Sequence, residues 1–284
     1  MTAPVSTMTE ITTCLDLDTD QIKALEQLKV RVLEEEKDLD LGPEDRIYIR
    51  FLYACNFNVD RAFNRLIQWF TLKKNNPLWF ASKPLCNYTR LLDKKIHCMS
   101  ETLDSKNRRV YFIKLGNIVV ADQPCYELSN IDDLWLEATL DERNNQSNGM
   151  VFVLDLKGIP YGIIKYLTPS NCRIGAMKTE LVPLRVMEYH LVNGGFLLNT
   201  IVSLVFPFLA EESKKNIHFH NSSNNFKSLH QFVNPEALPK EYGGTMDPLD
   251  HIKCRRLLTD REDKILEAFA IGYKTDEDTN EKEK

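Results

Sequence analysis

The chain has 284 residues, 43% hydrophobic, 27% charged and 10% aromatic, with a formal net charge of −5. That length suits one large domain or two small ones, and the composition excludes wholesale disorder and a fibrous protein. A negative overall charge leaves no global basic field for nucleic acid, so only a local basic patch for phosphate or anionic lipid stays open.

Residues 1–18 read as a disordered N-terminus. Met1 to Cys14 is polar and Thr-rich, without the basic and apolar regions of a signal peptide. The seven cysteines (14, 55, 86, 98, 125, 172 and 254) are odd in number, scattered and without a C-x-x-C pair. They predict reduced thiols in a cytoplasmic protein. Sequons at Asn87, Asn145 and Asn221 carry no meaning without secretion.

Residues 19–84 predict a helical N-terminal domain. Ile22, Leu25, Leu28 and Val32 recur at helical spacing between Thr19 and Lys37. Gly42-Pro43 breaks the chain, and a second helix follows from Pro43 to Cys55 with Ile47, Phe51 and Leu52 on one side. Asn58 is an N-cap for a third helix carrying Ala62, Phe63, Leu66, Ile67 and Phe70.

Residues 85–250 change pattern. Strands are predicted at Ile96–Thr102, Val110–Leu115, Met150–Leu154, Tyr189–Asn193 and Ile217–His220. The run Met150–Leu154 is apolar throughout, as when both faces of a sheet are covered. Helices are predicted at Ile131–Asp141, Tyr161–Leu167 and Ser170–Leu181. The alternation gives an α/β domain with a parallel or mixed sheet. Residues 251–284 read as a C-terminal helix and a charged tail, disordered from Lys274 onward.

Leu191–Ala210 contains no Asp, Glu, Lys or Arg. It is not a membrane span, because polar residues and Pro207 interrupt it and no basic cluster flanks it. The helix it forms, about Phe196 to Phe206, is apolar on nearly all sides and needs apolar surroundings on all sides. A buried core helix meets that need. So does a lid, hinged at Gly194-Gly195 and ended by Pro207, that covers a lipid cavity with one side and meets a membrane with the other.

Five motifs occur in order: Ile49 to Val59, Asp104 to Leu115, Gly149 to Gly158, a group from Pro183 to His218, and Leu238 to Gly244. With these the chain, from about Asp20 to Asp250, resembles the CRAL-TRIO family of lipid-transfer proteins, nearest its tocopherol- and retinaldehyde-carrier branch. The resemblance implies a helical bundle followed by an α/β lipid-binding domain, whose sheet floors an apolar cavity closed by a mobile helix. It favours the lid reading.

Strand alternation sends Met150, Phe152 and Leu154 to one face, and the resemblance makes that face pocket lining. It also implies lining roles for Tyr161, Leu167, Leu184, Val186 and Tyr189, with Trp135, Leu136 and Thr139 from the preceding helix. Phe196, Ile201, Val205 and Phe208 would face the cavity from the lid. At each position ordinary core is the alternative. Thr139, Tyr161 or Tyr189 would anchor a ligand hydroxyl. An empty apolar void of about 400 Å3 costs roughly 10 kcal/mol, comparable with a whole domain's stability of about 5–15 kcal/mol. Cargo should therefore stabilise the protein.

The tocopherol-carrier branch binds phosphoinositide headgroups through basic residues near the lid. Here Arg185 keeps one such position, while Tyr53, Met187, Glu212 and Asn216 stand where that branch carries basic residues. Lys214 and Lys215 are the nearby substitutes. Charge-assisted bonds make such a site, so their loss weakens it.

No G-x-S-x-G, H-E-x-x-H, P-loop or G-x-G-x-x-G pattern occurs. His218 and His220 alone make a poor metal site. The sequence therefore predicts no enzyme, cofactor or metal. It predicts a cytoplasmic, monomeric carrier of a retinoid, tocopherol, carotenoid or similar lipid, in transient contact with membranes. The alternative is a phosphoinositide-binding adaptor module without transfer activity.

Overall fold

The computed structural model describes residue 11 and residues 13–274. Most of the two predicted disordered termini lies outside the described residues. Where those segments are described they are ordered: Cys14–Asp16 form a 3-10 turn, and the Lys274 amide donates to the Asp38 carbonyl.

Three helices build the N-terminal part. α1 (Thr19–Glu35) starts at Asp18, whose carboxylate accepts from the Asp20 and Gln21 amides while Gln21 returns a bond to the Asp18 amide. This reciprocal cap satisfies donors that a helix start leaves unpaired. α1 buries Ala24, Leu25, Leu28 and Val32, whereas the predicted Ile22 is 43% exposed. A two-residue strand, β1 (Leu39–Asp40), precedes α2 (Arg46–Ala54), which begins three residues after Pro43. α3 (Val59–Asn75) begins at Asn58, whose side chain accepts from the Arg61 amide.

A short α4 (Thr89–Leu92) leads into the sheet domain. There follow β2 (His97–Leu103), β3 (Arg109–Lys114), α5 (Cys125–Glu137), α6 (Arg143–Asn148), β4 (Met150–Asp155), α7 (Pro169–Leu181), β5 (Met187–Val192), α8 (Leu198–Val205), α9 (Glu211–Lys215) and β6 (Ile217–His220). The predicted helix at Tyr161–Leu167 is a 3-10 helix, Tyr161–Tyr166. α10 (His251–Thr259), α11 (Glu262–Ala270) and β7 (Gly272–Tyr273) end the described chain, and β7 pairs with β1.

The main sheet has the order β2-β3-β4-β5-β6. β2 is antiparallel to β3 and the remaining pairs are parallel. β4 is central and covered on both faces, which is why its sequence lacks polar alternation. Gly149 opens β4 with φ +76°, and a Cβ there would lie 2.1 Å from the Val186 carbonyl oxygen. Only glycine admits that approach.

The two faces of the sheet have separate cores. Val110, Phe112, Val151, Val153 and Val192 pack under the segment that carries Phe226, Leu229, Val233 and Tyr242. Tyr111, Met150 and Phe152 point the other way and share a core with the helical bundle.

Arg50 joins bundle and sheet domain. It is 2% exposed and forks onto Asp141 at 2.6 and 2.9 Å and onto Glu137 at 2.7 Å. Burial works against its charge, but the two carboxylates overcompensate and raise its pKa. From α3, Arg65 donates to carbonyls of Leu181, Val182 and Leu184 just past α7. Arg50→Ala removes the main partner of the buried Asp141 and of the half-buried Glu137, for which we expect a loss of about 3–5 kcal/mol. Urea unfolding of the variant checks this, and a loss near that of a surface substitution contradicts it.

Candidate functional site

Between the sheet and helices α5 and α7 lies a cavity of about 350 Å3. Its floor is Ile113, Phe152, Leu154, Met187 and Tyr189 from β3, β4 and β5. One face of α5 contributes Cys125, Leu128, Ser129, Asp132 and Leu136, at the three- and four-residue spacing of a helix side. α7 contributes Gly175, Lys178 and Thr179, and Trp69 and Trp79 close the bundle end. The aromatic rings continue beyond the floor. Tyr189 stacks on Phe152 at 4.7 Å, Phe152 meets Tyr111 edge-on at 5.7 Å, and Tyr111 lies 6.4 Å from Trp135.

The wall also holds charge. The Lys178 ammonium donates to the Trp79 carbonyl at 2.7 Å, to Ser129 Oγ at 2.8 Å and to Asp133 Oδ1 at 2.7 Å. Asp133 Oδ2 accepts from the Ala81 amide. Asp132 Oδ1 accepts from the Tyr111 hydroxyl at 2.9 Å and lies 3.4 Å from His97 Nε2. Burial raises both acids to about 6, against the opposing pull of Tyr111 on Asp132 and of Lys178 on both. Burial also pushes His97 down to about 3, so its imidazole is neutral at physiological pH.

Of the sequence-derived lining set, Leu136, Phe152, Leu154 and Tyr189 border the cavity. The other members lie elsewhere. Trp135 sits on the neighbouring side of α5, 2% exposed, against Tyr111. Thr139 follows the end of α5 and gives its hydroxyl to the Trp135 and Leu136 carbonyls. Met150 and Leu184 are sealed in the core shared with the bundle. Val186 is 36% exposed, and its carbonyl accepts the Met150 amide. Tyr161 is 74% exposed on its 3-10 turn, and Leu167 is half-buried at the end of that turn.

α8 is shorter than the predicted helix, and a 3-10 turn, Phe206–Phe208, contains Pro207. None of its residues is fully buried, and Phe196 just before it is 80% exposed. Leu197 and Ile201 pack with Ile96, Ile118 and Ile163. Phe196, Ile201, Val205 and Phe208 do not line the cavity. The link is Ile113, which lines the cavity and also packs in the group that receives Leu197 and Ile201. The entry to α8 has φ +55° at Asn193 and +54° at Gly195. Asp155 anchors it, accepting from Asn193 Nδ2 at 2.8 Å and from the Tyr242 hydroxyl at 3.1 Å.

Arg185, Lys214 and Lys215 precede β5 and β6 but are separately engaged. Arg185 donates to the Ser147 carbonyl, and the lysines pair with Glu211 and Glu212 one turn away at 2.7 and 2.6 Å. His218 and His220 are joined by His190, whose Nδ1 lies 2.9 Å from His220 Nε2. Among the described residues no group of His, Cys, Asp or Glu is arranged to hold a metal ion, and no helix is long and apolar enough to cross a membrane.

Residues 93–244 match the CRAL/TRIO domain family. The chain belongs to the CRAL/TRIO family of lipid-binding proteins. It is similar to clavesin-2 of Rattus norvegicus, with 31% identity over 228 residues, 78% of this chain and 68% of that relative. It is similar to the alpha-tocopherol transfer protein-like protein of Homo sapiens, with 27% identity over 252 residues, 88% of this chain and 72% of that relative. Among solved structures Sfh5 shares the fold, with TM-score 0.55 and 17% identity over 84% of this chain and 91% of that one.

Sequence reasoning missed Cys125, Leu128 and Ser129 because it began the helix at Ile131. Pro124 at the N-cap was the available start signal. It also missed Asp132, Asp133 and Lys178. Two acids inside the apolar run Ile131–Leu136 were the signal for the first pair.

The raised Asp132 value has a signed consequence. Its ordinary value is 3.8 and its folded value is about 6, so between these the folded protein holds more protons than the unfolded chain. Stability therefore falls as pH rises through that window and stays lower above it. Delipidated Asp132→Asn should melt above the wild type at about pH 7.5 and lose that advantage at about pH 4.5. An advantage absent at the higher pH, or equal at both, contradicts the assignment.

Proposed function

We propose that the protein is a cytoplasmic, monomeric carrier that encloses one hydrophobic small molecule, of retinoid, tocopherol, carotenoid or similar type, and moves it between membranes. The observation that carries this reading is the 350 Å3 cavity floored by stacked aromatic rings. Ligand pockets occupy about 300–1,000 Å3, so this one suits a single-chain or ring-bearing guest better than a two-chain phospholipid.

A guest that buries its apolar surface against this lining binds only the folded state, which couples stability to loading. Similarity to the alpha-tocopherol transfer protein-like protein supports transfer rather than storage. The separate engagement of Arg185, Lys214 and Lys215 favours a carrier over a phosphoinositide-reading adaptor.

In this reading α8 is the lid. Phe196, Tyr161 and Val119 are exposed at 80%, 74% and 47%. The segments around them pack together through Leu197, Ile163 and Ile118, giving an apolar surface suited to a bilayer. Asn193 and Gly195 hold the positive φ angles about which the helix turns.

Phe196→Asp tests the lid without disturbing the core. Burying a Phe side chain is worth about 1.5–3 kcal/mol, so vesicle-to-vesicle transfer of a fluorescent isoprenoid should fall by roughly tenfold or more. Binding in solution should be retained. Transfer at the wild-type rate overturns the lid.

A further inference from the structure

Among the charged groups of the cavity wall, all but one of the hydrogen-bonding atoms are taken by the protein. Lys178 uses its three N–H bonds on protein acceptors. Both Asp133 oxygens are taken, by Lys178 and by the Ala81 amide. Asp132 gives only Oδ1 to the protein, and among the described residues Oδ2 has no hydrogen-bond partner. Its side chain lines the cavity and is 37% accessible.

The wall thus presents a guest with an acceptor. Two carboxylates face one ammonium, and that ammonium is committed to the neighbouring acid. An ionised acceptor bonds strongly to a donor and repels an anion. A hydroxyl or ammonium end satisfies it. A carboxylate or phosphate end meets like charge without a free cation to offset it.

We propose that Asp132 is the specificity-determining residue of the cavity, receiving the hydroxyl or ammonium end of a single-chain or ring-bearing amphiphile and turning away guests with an anionic end. This rests on the carrier reading. It assigns the anchor to a residue outside the set of polar anchors that the sequence suggested.

Trp69 and Trp79 line the same cavity and report its filling by fluorescence. Delipidated protein is titrated with three guests that differ only at one end: geranylgeraniol, geranylgeranylamine and geranylgeranoic acid. A charge-assisted hydrogen bond is worth about 1.5–3 kcal/mol, so at about pH 7.5 the alcohol or the amine should bind roughly tenfold or more tighter than the acid. The tighter of these two identifies the donor as hydroxyl or ammonium.

Asp132→Asn keeps the shape and removes the charge. It should strengthen binding of the acid and shrink the preference for the donor-ended guests by roughly tenfold. Asp132→Leu should weaken the alcohol as well. Equal affinity for all three guests in the wild type, or a preference unchanged in Asp132→Asn, overturns the anchor and leaves the carrier standing. Binding of none of the three removes the carrier reading and the anchor with it.

Discussion

A protein interior is ordinarily packed as tightly as an organic crystal, and this one keeps a hollow of about 350 Å3 against its central sheet. That hollow is the constraint to which the rest of the structure answers. Its floor needs a sheet covered on the far face as well, which the segment bearing Phe226, Leu229 and Tyr242 provides. Its roof needs two helices held apart from the sheet without collapsing. α5 is held through Glu137 by the Arg50 fork, and the end of α7 is held by Arg65. Two arginines of the helical bundle thus tie it to both helices of the cavity wall.

The charged wall fits the same logic. A hollow lined only with aliphatic groups would gain from closing on itself. Asp132, Asp133 and Lys178 sit at its side, linked through Tyr111, Ser129 and backbone groups into a network that resists rearrangement because each broken bond leaves a buried polar group unpaired. Burial raises both acids of this wall above the ordinary carboxylate range. On the other side of the cavity Ile113 is shared between the lining and the apolar group that seats Leu197 and Ile201.

Much of the fold was legible in the sequence because local physics sets it. The Asn58 cap, the apolar run of β4 and the stripe of α3 all appear where one-dimensional patterns put them. The cavity was less legible. Strand alternation put Phe152 and Leu154 on one face, and family resemblance made that face the lining and added Leu136 and Tyr189. Trp135 and Leu136 are adjacent, yet one is core and the other borders the hollow. The rotation of α5 that decides this is set by contacts with Tyr111 and Arg50, which no local pattern encodes. Lys178 lies 45 residues from its partner Asp133, so their pairing exists only after the two helices meet. Tyr161 lies 74% exposed on its 3-10 turn, a placement that its local sequence pattern does not encode.

The most direct test of the central claim is to purify the full chain from its native source under mild conditions, extract it with organic solvent and identify what comes out by mass spectrometry. The account requires a single class of hydrophobic guest at close to one molecule per chain, with the stripped protein melting at a lower temperature than the loaded one. A folded protein that yields no such molecule and melts identically before and after extraction would contradict it.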